Sequence, residues 1–282
     1  MKIAAIQMAV GQDKMENVMR AGRYLEQAAA QGADLAVLPE MFCCPYQTEL
    51  FPVYAEREGQ ETWKMLAGYA KTHGIYLVAG SMPELGDDNR VYNTSYVFDR
   101  RGRQIGKHRK VHLFDIDVEG GQYFKESNTL WAGEGMTLFE TEFGTMGLCI
   151  CFDIRFPELF GQMAAGGARM VFVPAAFNMT TGPAHWELLN RARAVDAQVY
   201  VAGTDVAYRE DAPFVSHGCS CICDPWGNVV EQAGKEETMI SAQIDTEVTE
   251  KMRRNLIVLK HQPVTENVPV AAAVEPAAVP KA

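Results

Sequence analysis

The sequence has no apolar run that approaches the about 20 residues needed to span a lipid bilayer. Its opening segment, MKIAAIQMAV, contains one lysine and a short apolar stretch, but Gln7 interrupts that stretch and no small-residue cleavage site follows. This segment is more typical of a first strand than of a signal peptide. We therefore expect neither secretion nor a membrane partner.

The chain also lacks an excess of positive charge. Its 26 Lys and Arg residues stand against 36 Asp and Glu residues, so the net charge is −10 with neutral histidines. Such a chain is poorly suited to bind phosphate backbones, and we expect no nucleic-acid partner. The 7 cysteines are odd in number and Cys43 adjoins Cys44, which makes a poor disulfide framework and favours a reducing, cytoplasmic location.

Several familiar site motifs are missing: G-x-G-x-x-G, G-x-x-x-x-G-K-[ST], G-x-S-x-G and H-E-x-x-H. Their absence argues against nucleotide-binding enzymes, serine hydrolases and zinc proteases. Cys219, Cys221 and Cys223 alternate in CSCIC, but zinc sites usually use Cys-x-x-Cys pairs, so small core residues are the favoured interpretation. The histidines show no ligand spacing, and for His108 and His112 we favour surface or helix-end roles. We expect no metal and no cofactor.

What is present is an alternation of β-rich and helical segments, which is typical of α/β layering. Strands are predicted over residues 2–8, 34–38, 75–79, 94–99, 146–151, 170–174, 199–204, 220–224 and 238–244. Apolar periodicity and helix-ending glycines predict helices over 17–31 and 61–73, and prolines suited to a first helical turn predict helices over 157–165 and 183–197. We expect one domain over residues 1–262, followed by an Ala/Val/Pro-rich tail over 263–282 that is mobile or lies against a partner subunit.

Three segments place reactive groups where strands end. ADLAVLPEMF puts Glu40 beside apolar residues, where a carboxylate becomes a usable base, although a surface glutamate would give the same pattern. GKHRKVHLFD leads into an apolar segment at Lys110, and a buried ammonium there needs a carboxylate partner; a solvated basic patch is the alternative. TMGLCICFDIRFPEL puts Cys151 at a corner between strand and helix, where free backbone N–H groups and the helix N-terminus favour a thiolate. Cys149, deeper in the strand, is assigned to the core.

Together, LPEMF, HRKVHLFD and GLCICFDIRFPEL resemble the nitrilase superfamily of carbon–nitrogen hydrolases in order and spacing, over essentially all of residues 1–262. The resemblance implies that Glu40, Lys110 and Cys151 are catalytic, and that the second glutamate of many members falls on Glu126 in FKESNTL. The stretch PAAFNMTTGPAHWELLNRARAVDAQVYVAG resembles the omega-amidase branch, whereas the loop over 205–216 does not match it.

The resemblance further implies a four-layer αββα sandwich and a homodimer or higher homo-oligomer, with the helices after Cys151 and near Pro183 at the subunit contact. The substrates would be water and a small ω-amide of a keto or dicarboxylic acid. Glu40 would take the thiol proton, Lys110 would favour the thiolate, and the Lys110 ammonium and the backbone N–H of Phe152 would hold the oxyanion.

Substrate selection would depend on a further set of residues around Cys151. A substrate carboxylate needs a cation, and Arg155 is suitable, although pairing with Asp153 or Glu158 to brace the corner is the favoured role. The remaining pocket candidates lie in the branch-specific stretch: Phe177, Thr180, Thr181 and His185.

Two kinds of alternative function remain. The first is that of another branch of the superfamily: an N-carbamoyl amino acid hydrolase, a deaminated-glutathione amidase or a nitrilase. The second is a catalytically silent binding subunit, which the presence of Glu40, Lys110 and Cys151 disfavours.

Overall fold

Two β-sheets form the centre of the structure, a computed structural model that describes residues 1–118 and 122–258. Its strands are β1 (Lys2–Gln7), β2 (Leu35–Val37), β3 (Tyr76–Val78), β4 (Met82–Leu85), β5 (Val91–Phe98), β6 (Gln104–Arg109), β7 (Asp115–Asp117), β8 (Tyr123–Lys125), β9 (Thr137–Thr141), β10 (Gly144–Leu148), β11 (Met170–Ala175), β12 (Tyr200–Asp205), β13 (Cys221–Cys223), β14 (Val229–Gln232) and β15 (Thr238–Gln243). Its helices are α1 (Lys14–Ala30), α2 (Phe51–Tyr54), α3 (Glu61–His73), α4 (Pro157–Ala165), α5 (Gly182–Ala197) and α6 (Thr246–Asn255).

Each large sheet contains a parallel centre flanked by antiparallel strands. The first sheet has the order β15-β1-β2-β3-β5-β4, with β6 also paired to β5, and β1, β2 and β3 run parallel. The second has the order β14-β13-β12-β11-β10-β9, with β10, β11 and β12 parallel. Strands β7 and β8 form a separate antiparallel pair.

Three buried clusters define the layers. On one outer face, α1 and α3 pack on the first sheet through residues such as Leu25 and Leu66. Between the sheets, Ile3 belongs to the same cluster as Phe172 of the second sheet. On the other outer face, α4 and α5 contribute residues such as Trp186. The order is therefore helix, sheet, sheet, helix, which confirms the expected four-layer αββα sandwich.

The predicted elements are all present, with small differences in their bounds. Helices α3 and α4 begin and end where predicted, because Gly74 adopts a left-handed conformation after α3 and Pro157 occupies the first turn of α4. The strand predicted over 146–151 is too long, since β10 ends at Leu148 and Cys151 begins a 3₁₀ turn, Cys151–Arg155. The elements that were not predicted are β4, β6, β7, β8, β9, β14, α2 and α6.

Within residues 1–118 and 122–258, every helix is too short or too polar to cross a lipid bilayer. The tail predicted over 263–282, and the end of the predicted domain at 262, lie outside the described residues.

Candidate active site

The carboxyl ends of three strands bring the predicted catalytic residues together. Glu40 follows β2, Lys110 follows β6 and Cys151 follows β10. Glu126 begins a short 3₁₀ turn after β8. All four side chains are buried, and this edge is where parallel sheets commonly bind ligands.

Lys110 is a buried ammonium between two carboxylates. Its Nζ lies 2.8 Å from Oε1 of Glu40 and 2.9 Å from Oε1 of Glu126. Burial alone would lower the pKa of Lys110, but the two carboxylates outweigh burial and raise it above its ordinary value. The ammonium therefore keeps its charge, and the alternative of a solvated basic patch is wrong for this residue.

Glu40 has two differently occupied oxygens. Oε1 accepts hydrogen bonds from Asn93 Nδ2 (2.8 Å), Lys110 Nζ (2.8 Å) and the Tyr46 hydroxyl (3.2 Å). Oε2 accepts one from the backbone N–H of Ala176 (2.8 Å). Among the described residues Oε2 thus has a single donor, which leaves it the more available for a proton.

Tyr46 is a site residue that the sequence analysis missed. Its hydroxyl donates to Glu126 and lies within hydrogen-bonding distance of Glu40 and, at 3.4 Å, of Lys110. Burial raises the pKa of Tyr46 well above its ordinary value, as do both carboxylates, so its hydroxyl stays neutral. In the sequence, a tyrosine six residues after Glu40 in MFCCPY looks like an ordinary core aromatic.

Glu126 is held from both sides. Its Oε1 accepts from Lys110 and Tyr46, and its Oε2 accepts from the backbone N–H of Phe114 at 2.6 Å. Burial raises the pKa of Glu126, Lys110 lowers it and Glu40 raises it again, with a net upward shift. Three donors fix this carboxylate, which suits a positioning group.

Cys151 sits on an unusual backbone. Its φ is 46°, in the left-handed region that non-glycine residues rarely adopt, and Met41, next to Glu40, has a φ of 49°. Such conformations cost on the order of 1–3 kcal/mol each and cluster at functional sites. The candidate nucleophile and the candidate base therefore both adjoin a strained backbone position.

The thiol of Cys151 is not a preformed thiolate. Burial raises its pKa well above the ordinary value, Glu40 raises it further, and Lys110 lowers it by less. The helix contribution expected from the sequence is also weak, because α4 begins only at Pro157. Burial and Glu40 thus oppose the thiolate that the sequence predicts, whereas Lys110 favours it, and a thiol that reacts from this state needs a base.

Asp153 braces the turn that carries Cys151. It accepts from the backbone N–H groups of Ile150 (3.0 Å) and His112 (2.9 Å), and contacts His112 Nδ1 (2.8 Å) and His108 Nε2 (3.1 Å). Burial alone would raise the pKa of Asp153, but its hydrogen bonds to these histidines outweigh burial and lower that pKa. His108 is fully buried, so the surface interpretation is wrong for it.

Arg155 does not take the bracing role favoured from the sequence, since Asp153 pairs with histidines instead. Its guanidinium lies over the rings of Phe152 (5.5 Å) and Phe177 (5.2 Å), and its Nη1 is 3.2 Å from Nδ1 of His185. Within the part of the chain that the structure describes, Arg155 forms no ion pair with a carboxylate. Burial lowers the pKa of Arg155.

A small cavity connects this arginine with the thiol. We call it the thiol cavity; its volume is about 10 Å³ and its lining comprises Phe114, Cys151, Phe152, Arg155, Ala176, Phe177, Asn178 and Thr181. Two of the predicted pocket residues, Phe177 and Thr181, line it directly, and His185 reaches it through Arg155. Thr180 lies outside its lining, and its hydroxyl donates to Gln122. Phe114 and Asn178 were not predicted.

The CSCIC cysteines are core residues of the second sheet. Cys221 and Cys223 are fully buried and belong to the cluster beneath α4 and α5, with Cys219 packed against it. Across residues 1–118 and 122–258, no group of three or more His, Cys, Asp or Glu side chains is arranged to hold a metal ion.

Residues 2–254 match the model of the carbon-nitrogen hydrolase family. The omega-amidase NIT2 of Xenopus tropicalis is 48% identical over 255 residues, covering 90% of this chain and 92% of the relative. The omega-amidase NIT2 of Homo sapiens is 43% identical over 261 residues, covering 93% and 94%.

Solved structures agree with this match. Saccharomyces cerevisiae Nit3, of branch 10 of the nitrilase superfamily, has a TM-score of 0.84 at 39% identity and covers 95% of this chain and 96% of its own. An amidase from Nesterenkonia sp. has a TM-score of 0.77 at 26% identity, covering 91% of this chain and 98% of its own, and in the structure of a glutamate-to-glutamine mutant of that amidase acrylamide has added to the active-site cysteine.

Proposed function

Because this chain belongs to the carbon-nitrogen hydrolase family and is an amidase, we propose that it hydrolyses small ω-amides of keto or dicarboxylic acids, such as α-ketoglutaramate. The reaction would release ammonia and pass through a thioester at Cys151. The relatives named omega-amidases support this substrate class.

The observation that carries the proposal is Arg155. It is a half-buried cation without a carboxylate partner among the described residues, and it shares the thiol cavity with Cys151. An ω-amide bound with its carbonyl at Cys151 extends a carboxylate of its own, and a guanidinium is the side chain best suited to hold it. Phe152 and Phe177 would fix the guanidinium plane by stacking.

Acylation would begin with proton transfer from Cys151 to Glu40 as sulfur attacks the amide carbon. Lys110 and the backbone N–H of Phe152 would stabilise the oxyanion, a contribution worth roughly 100- to 1,000-fold per donor. Glu40 would then give the proton to the leaving nitrogen, and ammonia departs. The single donor on Glu40 Oε2 favours this oxygen as the proton carrier.

In deacylation, Glu40 would again accept and then donate a proton, this time from water to sulfur. Glu40 takes a proton from water, the hydroxyl adds to the thioester carbon, the C–S bond breaks, and sulfur regains the proton from Glu40. Glu126 and Tyr46 would hold Lys110 in place throughout.

The test is a panel of purified substrates compared under one set of conditions. It contains α-ketoglutaramate, succinamate, glutamine, a simple aliphatic amide, N-carbamoyl-β-alanine and an aliphatic nitrile. We expect kcat/KM to be highest for the keto and dicarboxylic amides, because a site built to pair a carboxylate discriminates by on the order of 10⁴-fold against compounds that lack it. A carbamoyl compound or nitrile ahead of both would exclude this substrate class.

Arg155→Gln supplies the matched variant. It should lose most of its kcat/KM for α-ketoglutaramate and little for the aliphatic amide, because only the former presents a carboxylate. An equal loss for both amides would mean that Arg155 has a structural role.

We further propose that two copies associate through α5, in the cytoplasm. Leu188 and Val195 on that helix are 62% and 41% exposed, and Trp226, in a turn whose Gly227 carbonyl accepts from Arg191 of α5, is 57% exposed. The unpaired thiols support a reducing compartment. Sedimentation of the wild type and of Leu188→Lys tests the contact, and an unchanged mass in the variant would exclude it.

A further inference from the structure

The loop over 205–216, which did not match the omega-amidase branch in the sequence, begins with a buried carboxylate. Asp205 ends β12, and its side chain is fully buried. Among the described residues it forms no ion pair with a cationic side chain. Burial raises the pKa of Asp205 well above its ordinary value, Glu40 raises it further, and its hydrogen bonds lower it by less. Such a group is costly to bury, and the proposed reaction does not use it.

Asp205 binds three backbone N–H groups. Its Oδ1 accepts from Phe177 (2.8 Å) and Val206 (2.9 Å), and its Oδ2 accepts from Gly218 (2.9 Å). The N–H of His217, beside Gly218, donates to the carbonyl of Phe177 at 2.6 Å. The carboxylate therefore ties the segment that follows β11 to β12 and to the segment that precedes β13.

Phe177 needs this carboxylate because it lies beyond the end of a β-ladder. Strands β11 and β12 pair as far as Ala175 and Asp205, and both strands end there. The N–H of Phe177 lies two residues further along the chain, and the side chain of Asp205 is its acceptor. A buried backbone N–H without an acceptor is unfavourable, so the Asp205 carboxylate fixes where Phe177 can lie.

The peptide group between Ala175 and Ala176 contacts both candidate catalytic residues. Its carbonyl accepts from the N–H of Glu40 at 3.3 Å, and its N–H donates to Oε2 of Glu40 at 2.8 Å. A hydrogen bond from the backbone of Ala176 also lowers the pKa of Cys151. One N–H thus lies against the candidate base and the candidate nucleophile, and Phe177 follows it directly in the chain.

The same N–H lies between two cavities. A cavity of about 230 Å³ occupies the side of Glu40, and we call it the base cavity. Ala176 lines both the base cavity and the thiol cavity, and its single methyl group provides little packing to hold the backbone there. The position of the Ala176 N–H therefore depends on the neighbouring peptide group, whose N–H is bound to Asp205.

We propose that Asp205 is a positioning residue of the active site. Its carboxylate fixes the N–H of Phe177 beyond the end of the β11–β12 ladder, and the adjoining N–H of Ala176 is thereby kept directed at the base and the nucleophile. This role rests on those proposed for Glu40 as base and Cys151 as nucleophile. Since Asp205 lines neither cavity, it would act on activation of the thiol and not on substrate binding.

Variants of Asp205 separate this role from packing. Asp205→Ala removes the acceptor of Phe177, and so does Asp205→Val, whose β-branched side chain suits the end of a strand and protects folding. Asp205→Asn keeps one oxygen, which faces Phe177 and Val206 because two donors lie on that side and one on the other. Ser220→Ala is the matched control. The Ser220 hydroxyl accepts from the backbone N–H of Asp205 at 2.9 Å, so its loss disturbs the same buried network and spares the carboxylate.

Two rates are measured, and thermal unfolding checks that each variant is folded. The rate at which iodoacetamide alkylates Cys151, followed by intact mass, needs no substrate, and kcat and KM are measured with the panel amide that releases ammonia fastest. We expect the alkylation rate and kcat to fall about 10-fold or more in Asp205→Ala and Asp205→Val, with KM within about 3-fold of wild type. Asp205→Asn should recover most of both rates. Ser220→Ala should lower Tm while both rates stay within about 3-fold of wild type.

Near wild-type rates in folded Asp205→Ala or Asp205→Val would overturn the proposal, as would an equal loss in Ser220→Ala or a rise in KM with kcat unchanged. Glu40→Gln, assayed beside them, tests the premise separately. If Glu40→Gln is impaired and the Asp205 variants are not, the positioning role alone fails, whereas near-normal turnover of Glu40→Gln would exclude the proposed base. Rejection of ω-amides would change the substrate class and leave the alkylation result standing.

Discussion

Two thiols that lie two residues apart have different surroundings. Cys151 lines the thiol cavity and adjoins Glu40, whereas Cys149 is fully buried, lines neither cavity, and has a pKa raised by burial and by Asp153. Cys151→Ala should abolish turnover and Cys149→Ala should keep it. Intact-mass analysis after iodoacetamide treatment should find the first adduct on Cys151. Preferential labelling of Cys149, with activity lost through it, would reverse the assignment.

Removing the charge of Glu40 and that of Glu126 should affect the rates of the two half-reactions differently. Glu40→Gln would lose the proposed proton carrier of both half-reactions and should lower kcat by roughly 100- to 10,000-fold. Glu126→Gln keeps that carrier but loosens Lys110, and we expect severe impairment with thioester formation more affected than decay. Steady-state and single-turnover rates across about pH 6 to 9 check both. Near-normal turnover of Glu40→Gln across that range would exclude it as the base.

Tyr46→Phe tests a positioning residue that only the structure revealed. Without the hydroxyl, Glu126 Oε1 keeps Lys110 as its donor but loses the second one, so Lys110 is held less well. We expect kcat to fall about 10-fold with KM little changed, because the hydroxyl acts on the catalytic groups and not on the substrate carboxylate. Tyr76→Phe is the control, since its hydroxyl donates to Glu142 at 2.7 Å, away from the site. A parallel loss of stability and activity in both variants would point to packing alone.

At the scale of elements, Asp153 ties the 3₁₀ turn of Cys151 to β6 through His108 and to the segment after β6 through His112. Its pKa is lower in the folded protein than its ordinary value of 3.8. A depressed carboxyl pKa contributes stability above the ordinary value, and this contribution is lost as pH falls below it.

Asp153→Asn should therefore lower Tm at neutral pH, and the difference from wild type should shrink as pH falls below about 4. Calorimetry across this range, with Asp117→Asn as an exposed control, measures the difference. A gap that widens toward acid would contradict the assignment. Activity of Asp153→Asn should fall as well, because the turn carries the proposed nucleophile, Cys151.

Local signals explain which elements could be predicted. Gly74 and Pro157 fix helix bounds by backbone geometry alone, so α3 and α4 were placed correctly from the sequence. Strand β6, QIGKHR, is half-buried and polar, and its place follows from pairing with β5, which no local pattern reveals. The helix α6 was also missed, although Asp245 caps it through the N–H of Glu247.

The residues of the candidate site also fall into two groups, those that a local sequence pattern identifies and those that it does not. Glu40, Lys110 and Cys151 lie in segments whose patterns are informative within ten or so residues, and the structure brings them together. The bond between Tyr46 and Glu126 joins residues 80 positions apart, and that between His108 and Asp153 joins residues 45 apart. Such partners depend on how distant segments of the chain come together in the fold, so local chemistry could not identify them.

At the scale of the whole molecule, the proposed reaction uses only groups that the chain supplies. Lys110 and a backbone N–H are available for the oxyanion, so we expect activity to survive EDTA treatment and dialysis against metal-free buffer. Metal analysis of the active protein should be run beside the assay. Stoichiometric zinc whose removal stops turnover would contradict this expectation and would redirect attention to the cysteines of β13.

The left-handed backbone at Cys151 bears on how this protein could evolve. A glycine at this position would adopt a φ of 46° without the penalty that a side chain incurs, so loss of the proposed nucleophile would relieve backbone strain while, on the proposed mechanism, ending catalysis. A substitution at this single position would then remove activity without lowering the stability of the fold. An inactive homologue that descends from this protein could therefore be stably folded. A lineage that kept the fold solely for binding would have little reason to retain cysteine there.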